Sequence, residues 1–209
     1  LAKSLSNDID DVNLKRDLGI SSNKEIIAIL PGSRKSEIKH HDKPLSDFIK
    51  KYKKENPDAE IVLALNKKSD LLGQLEKLSG NIKVIFDSSQ KVLSVCDLAV
   101  VASGTATLEA GILAKPMVVI YKSNFLSNFI LSNFFLKTKF IALPNILSQE
   151  KIIFELRQSQ VIGEQIYEKV ILSLKNKKNI SEKLGSIQQS LLVSESNKFT
   201  KAIQEIFSK

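Results

Sequence analysis

The chain has 209 residues, of which 43% are hydrophobic and 26% charged, a balance that suits one large domain or two small ones and excludes disorder and collagen. A single cysteine, Cys96, excludes a disulfide scaffold, and no apolar run reaches the ~18 residues of a membrane span. With 31 Lys and Arg against 23 Asp and Glu, the net charge is +8 and the pI about 9.4, which favours anionic partners: nucleic acid, acidic membrane or phosphorylated ligands.

The chain begins at Leu1 and its one methionine is Met117, while Lys3, Asp8, Asp10 and Asp11 interrupt any leader-like segment. We therefore expect it to start within something longer. Residues 1–24 read as a linker or interdomain segment with at most one short helix. Ile26 to Leu30 is a short buried strand closed by Pro31-Gly32. Leu45, Phe48, Ile49 and Tyr52 fall at helical spacing. Glu60 to Leu65 is the next strand, and Leu71, Leu72, Leu75 and Leu78 mark a helix that Gly80 ends. Ile82–Phe86 is a strand, followed by a short helix around Val92 and Val95. Asp97–Ala102 is a strand, Thr105–Ala114 a helix, and Pro116–Tyr121 a fifth strand. Beyond Leu147 the pattern reads as helical only, with Ile180, Leu184, Ile187 and Leu191, then Phe199, Ile203 and Phe207, marking terminal helices.

Short strands that are apolar throughout and alternate with helices imply an α/β fold, a Rossmann-like parallel sheet with helices on both faces. Residues 25–160 read as that domain. Residues 161–209 read as C-terminal helices packed on it or on another domain.

Much chemistry is excluded. None of the eight glycines forms a G-x-G pair, so a dinucleotide fingerprint and a P-loop are both absent, and there is no G-x-S-x-G elbow. His40 and His41 are adjacent on what reads as an exposed polar stretch, and one cysteine makes no zinc site. No metal site is expected. Asp8-Ile9-Asp10 spells D-x-D but lies away from any strand end and reads as solvated carboxylates. The basic residues are not interleaved with aromatics, which argues against nucleic acid.

Ligands of an open parallel sheet sit at the carboxyl ends of its strands, and three loops there are unusual. In the first, Gly32 and Ser33 allow a tight turn and Arg34 offers a planar fork for phosphate oxygens, although a solvated surface arginine explains the tetrapeptide equally well. In the second, Ser103-Gly104-Thr105 runs straight into a helix, whose free amides together with the two hydroxyls suit an anion. Glu109 lies one turn deeper on the same face, aimed away from phosphate and at the distance of a ribose diol. In the third, Leu143-Pro144-Asn145 presents an amide, which reads equally as a turn asparagine.

Taken together, Leu30–Ile38 (LPGSRKSEI), Ala102–Ala110 (ASGTATLEA), Pro116–Lys122 (PMVVIYK) and Leu143–Leu147 (LPNIL) resemble the lipid-A-disaccharide synthase family. The resemblance runs in order from Leu1 to about Gln158. It implies a bacterial, inverting, metal-independent glycosyltransferase of the two-domain GT-B type, of which this chain resembles the C-terminal, nucleotide-binding half. The family transfers 2,3-diacylglucosamine from UDP-2,3-diacylglucosamine to lipid X (2,3-diacylglucosamine 1-phosphate) and releases UDP, a step of lipid A and lipopolysaccharide biosynthesis. The UDP-sugar is a substrate, and no cofactor is implied. The resemblance assigns Gly32, Ser33, Arg34, Ser103, Gly104, Thr105, Glu109 and Asn145 to the UDP-sugar, with Arg34, Glu109 and Asn145 at positions needed for activity. It puts Arg34 on the diphosphate or glucosamine side, Glu109 on ribose, Ser103 to Thr105 on the diphosphate, and Asn145 at the cleft. The acceptor site and general base would belong to an N-terminal domain. The sequence departs from the family at Ser148-Gln149, where Ala-Gly is usual, and at Phe154, where proline is common.

Phe125, Leu126, Phe129, Ile130, Leu131, Phe134, Phe135 and Leu136 recur at roughly helical period in a stretch that carries lysines but no acidic residue. Such a segment reads either as a membrane-surface helix or as one packed on the sheet or on the other domain. With acylated substrates, the expectation is a cytoplasmic protein, peripheral on the inner membrane, with dimerisation left open. Two alternatives stand at this point: another GT-B UDP-sugar enzyme (a UDP-N-acetylglucosamine transferase or 2-epimerase), or a nucleotide-binding half without catalysis of its own.

Overall fold

The computed structural model describes residues 11–21, 23–67, 73–78, 80–123 and 139–193, with only the backbone described at Asp11 and at 190–193. Asp8 and Asp10, Leu71 and Leu72, the aromatic segment from Phe125 to Leu136, and Phe199, Ile203 and Phe207 lie outside the described residues, as does the side chain of Leu191.

In chain order the elements are α1 (Asp11–Asp17), β1 (Ile26–Leu30), α2 (Lys35–Glu55), β2 (Glu60–Leu65), α3 (Gly73–Leu78), β3 (Lys83–Phe86), α4 (Ser89–Val95), β4 (Leu98–Ala102), α5 (Thr105–Ile112), β5 (Met117–Tyr121), α6 (Leu143–Ser148), β6 (Phe154–Arg157), a 3-10 turn (Gln158–Gln160), α7 (Gly163–Lys175) and α8 (Lys177–Val193). The six strands form one sheet in the order β3-β2-β1-β4-β5-β6, and every neighbouring pair is parallel.

The central strands are apolar at every position because both of their faces are covered. Ile26, Ala28 and Leu30 of β1 join Ala99, Val101, Met117 and Val119 in a core beneath α1, α4, α5 and α8. Ile27 and Ile29 point the other way and join Ile61, Leu63, Val100 and Val118 beneath α2, α3 and α7. Each fully buried aliphatic side chain contributes about 1.5–3 kcal/mol relative to exposure.

Two expectations need correction. The chain beyond Leu147 is not helical only: Phe154–Arg157 is a sixth strand that pairs with β5, Val118 opposite Phe154 and Tyr121 opposite Arg157. His41 is not exposed. It is 2% exposed, on the α2 stripe that includes Ile38, Leu45 and Phe48.

Two of the four lysines Lys50, Lys51, Lys53 and Lys54 tie α2 to its neighbours. Lys51 pairs with Glu164 of α7 at 2.6 Å, and Lys53 donates to the carbonyls of Pro57 and Ala59. The helix α7 packs on α2 and on the sheet, and α8 packs on α5 and α6. Among the described residues no helix is long and apolar enough to cross a membrane.

Candidate functional site

The chain winds outward from β1 toward β3 and, after crossing back, from β4 toward β6. The reversal lies between β1 and β4. In such sheets a crevice opens there, beyond the carboxyl ends of the two strands. Leu30 is in register with Val101, so the chain leaves β1 at Pro31 beside Ala102, the last residue of β4. The first two of the three unusual loops are therefore brought together. The third, at Asn145, is held at the far side by β6.

On the β1 side, Gly32 has φ 127°, a conformation that L side chains rarely adopt. A Cβ there would also lie 2.7 Å from Glu37 Oε2 and 2.8 Å from its Cβ. The Glu37 carboxylate folds back under the turn and accepts from the amides of Ser33 at 3.1 Å and Arg34 at 3.3 Å. Those amides are satisfied from within the protein. What the turn offers outward is the Arg34 side chain, which is 80% exposed and held only by a 3.5 Å contact from its Nη1 to Glu37 Oε1.

One helical turn after Glu37, the ring of His41 lies under the same turn. Its Nδ1 is 2.7 Å from the Pro31 carbonyl, and because a carbonyl only accepts, Nδ1 carries the proton. Nε2 is buried without a hydrogen-bond partner among the described residues. Burial lowers the imidazole's pKa below its ordinary 6.5, opposed by the Pro31 hydrogen bond and the nearby Glu37. Glu37 lay inside the quoted motif without a role, and His41 was misplaced. The signal for His41 was its spacing, three residues after Ile38 and four before Leu45, on the apolar stripe.

On the β4 side, the Ser103 amide donates to the Ile120 carbonyl at 2.9 Å and ends the ladder. Gly104 is the N-cap of α5, with extended backbone and nothing within 4 Å of where a Cβ would stand. Among the described residues no side chain caps this end. Thr107 instead turns its own amide and hydroxyl back to the Gly104 carbonyl, at 3.1 and 2.6 Å. The amides of Gly104, Thr105 and Ala106 thus have no intrahelical acceptor and face the crevice side with the positive end of the helix dipole. Gly104 and Thr105 are exposed, and Ser103 is half-buried. Glu109 sits one turn further on, half-buried, and accepts from the exposed Gln90 amide at 3.5 Å. Gln90, at the start of α4, is a neighbour of the site that the sequence did not single out.

Asn145 differs from expectation. It is fully buried, and its amide is engaged on both sides. Its Oδ1 accepts from the amides of Ile152 and Ile153 at 2.8 and 3.0 Å, and its Nδ2 donates to the Ile153 carbonyl and to Glu155 Oε1, both at 2.9 Å. The amide is not presented to the crevice; it ties α6 to the start of β6. Glu155, with its side chain 5% exposed, is the centre of the knot. Besides Asn145 it accepts from the amides of Ile141 and Ala142 and from Arg157 Nη2 at 2.8 Å.

A family model described as lipid-A-disaccharide synthetase matches residues 1–207. The chain belongs to this family. Curated relatives in the lipid-A-disaccharide synthase family include that of Vibrio campbellii, 32% identical over 81% of this chain and 46% of the relative. Another, from Hahella chejuensis, is 30% identical over 96% of this chain and 52% of the relative. The chain spans about half the length of the curated relatives it matches. Among solved structures the fold resembles Anabaena HepE in complex with UDP-glucose, with TM-score 0.60 and 14% identity over 97% of this chain and 53% of that one. It also resembles WaaG, a glycosyltransferase involved in lipopolysaccharide biosynthesis, with TM-score 0.58 and 12% identity over 98% and 53%. The architecture is therefore that of one half of a GT-B glycosyltransferase.

The two family departures noted in the sequence have local physical consequences. Gln149, where the family usually has glycine, ends α6 in the left-handed region at φ 56°, so this chain tolerates a side chain where glycine is the unstrained choice. Phe154 opens the edge strand β6, a position where proline is also admissible because the first residue of an edge strand need not donate.

Proposed function

We propose that the chain supplies the UDP-sugar side of a lipid-A-disaccharide synthase. The reaction joins 2,3-diacylglucosamine from UDP-2,3-diacylglucosamine to lipid X. The acceptor hydroxyl attacks the anomeric carbon, the bond from that carbon to the UDP oxygen breaks, and the acceptor proton goes to a base outside this half. The single observation that carries this reading is the family match over residues 1–207. The crevice between β1 and β4 supports it with two groups suited to a leaving diphosphate: the uncapped start of α5 and the exposed guanidinium of Arg34.

In this reading Ser103, Gly104 and Thr105 receive the diphosphate, and charge developing on it is met by the helix amides and by Arg34. Gly32 and Ser33 shape the turn that aims Arg34. Glu109 takes the ribose hydroxyls. Asn145 acts from inside, holding α6 and β6 in place rather than touching the sugar. The acceptor site and the general base belong to the other half of the full-length enzyme, which works at the cytoplasmic face of the inner membrane. The family match favours this reading over a 2-epimerase or an N-acetylglucosamine transferase.

The test is calorimetry with UDP and with inorganic diphosphate. Glu109→Ala should cost UDP about 1.5–3 kcal/mol, the worth of a hydrogen bond to a charged group, and diphosphate much less. Equal losses for both ligands would remove Glu109 from the ribose.

A further inference from the structure

Two side chains of α2, one helical turn apart, reach back to the turn that precedes the helix. Glu37 takes the amides of Ser33 and Arg34, and His41 gives its Nδ1 proton to the Pro31 carbonyl. Between them they hold three backbone groups on either side of Gly32, the Pro31 carbonyl and the Ser33 and Arg34 amides, and Gly32's own φ of 127° leaves little freedom. The His41 grip is shut off from solvent, at 2% exposed, whereas Glu37 lies against the Gly32 backbone with 30% of its side chain exposed.

We propose that Glu37 and His41 are positioning residues that clamp the Pro31–Arg34 turn for diphosphate binding, and that protonation of His41 releases the clamp. The proposal rests on the donor reading given above and names how that same site is regulated.

The argument is one of proton count. Neutral His41 needs one acceptor and has it in Pro31. Protonated His41 has a second N–H at Nε2, and that atom is buried with no partner among the described residues. A buried donor without an acceptor, on a charged ring, is strongly disfavoured. The charged groups that act on the ring are Glu37 and His40 on α2 and Lys122 just beyond β5. Glu37 favours the proton. Lys122 and a protonated His40 oppose it, and desolvation, the largest influence, opposes it as well. The folded-state pKa therefore lies below the ordinary 6.5. The sign follows: the stabilisation from neutral His41 is complete above that ordinary value and is lost as pH falls through the folded one. The ring then turns outward or the turn loosens, and Arg34 and the Ser33 amide lose their fixed direction.

The experiment has two arms. In the first, without ligand, the backbone amide shifts of Ser33 and Arg34 are followed by NMR from pH 8 to pH 5 in the wild type and in His41→Asn. Asparagine keeps a donor at the Nδ1 position but does not titrate. The wild-type amides should show a titration step that the variant's lack, and groups common to both proteins cancel in the difference. Identical profiles overturn the proposal. In the second, UDP affinity is measured at pH 7.5 and 5.5. The terminal phosphate of UDP takes up a proton in the same range, so the readout is the difference between proteins. The wild type should lose roughly five- to ten-fold more affinity than His41→Asn, about the worth of one hydrogen bond. His41→Leu should bind UDP roughly five- to ten-fold more weakly than the wild type at pH 7.5, while melting cooperatively. Parallel losses in wild type and His41→Asn, or wild-type affinity in His41→Leu, overturn the clamp. If no protein binds UDP, the donor reading fails, and the amide titration still decides the clamp.

Discussion

Asn145 and His41 are polar side chains that sequence-level reasoning sent to the surface and the fold keeps inside. Both are buried because backbone groups need them. Asn145 satisfies two amides at the entry to β6, and Ile153 among them is itself 1% exposed. Truncating it would strand those amides and one lone pair of Glu155. Asn145→Ala should therefore lower folding stability by about 2–4 kcal/mol in urea titration, each unmet buried group costing about 1–3. UDP affinity of the folded fraction should change little by comparison. A variant that stays as stable as wild type but loses UDP binding would return the amide to the crevice. Neither residue could be placed from its own neighbours. The partners of Asn145 lie seven to ten residues on, beyond a turn whose path no local signal gives. His41 carried a usable sign in its spacing from Ile38 and Leu45, but a histidine beside a histidine reads as solvated until the stripe is drawn through it.

At the scale of elements, the sheet was the legible part. The strand at Ile26–Leu30 and that at Glu60–Leu65 have the bounds their apolar runs suggest, and the other three expected strands differ by one residue at the start. Buried parallel strands must be apolar on both faces, so their signal does not depend on phase. The sixth strand was missed for the converse reason. Its four residues carry Glu155 and Arg157 on one side, and a two-period pattern that short is lost in a helix-like surrounding; the charges are tolerated there because they pair with each other and with the backbone of residues 139–142. Packing between helices was not legible at all. Gly163 opens α7 so close to α2 that an added Cβ would lie 2.6 Å from the Asp47 Cβ and 2.8 Å from the Phe48 amide nitrogen. Backbone cannot yield as a flexible side chain does. Gly163→Ala should cost about 1–3 kcal/mol, read as a fall in melting temperature, while Gly104→Ala, with open space around it, should leave that temperature nearly unchanged. The exposed pair of Lys51 with Glu164 cannot make up the difference, since such pairs contribute about 0–1 kcal/mol.

For the molecule as a whole, the functional reading turns on how much of a cleft one half can build. The crevice between β1 and β4 carries groups that match a departing UDP: the open amides at the start of α5, the exposed guanidinium of Arg34 and the carboxylate of Glu109. None of these is poised to take a proton from an acceptor hydroxyl. The Arg34 guanidinium offers only N–H donors, and we assign Glu109 to ribose. His41 is buried and committed to Pro31, so it does not serve as a base either. This chain by itself should therefore bind UDP and transfer no sugar. Binding should also be weak, because a ligand enclosed on one side keeps much of its contact with water, whereas pockets that hold small molecules tightly enclose about 70–90% of their surface. The check is a radiolabelled disaccharide assay with UDP-2,3-diacylglucosamine and lipid X, run on this chain alone and again with the N-terminal half of a full-length relative added. Turnover only in the mixture is the expected result. Turnover by the chain alone would mean that the base lies within these 209 residues, and the assignment of acid–base chemistry to the other half would fall.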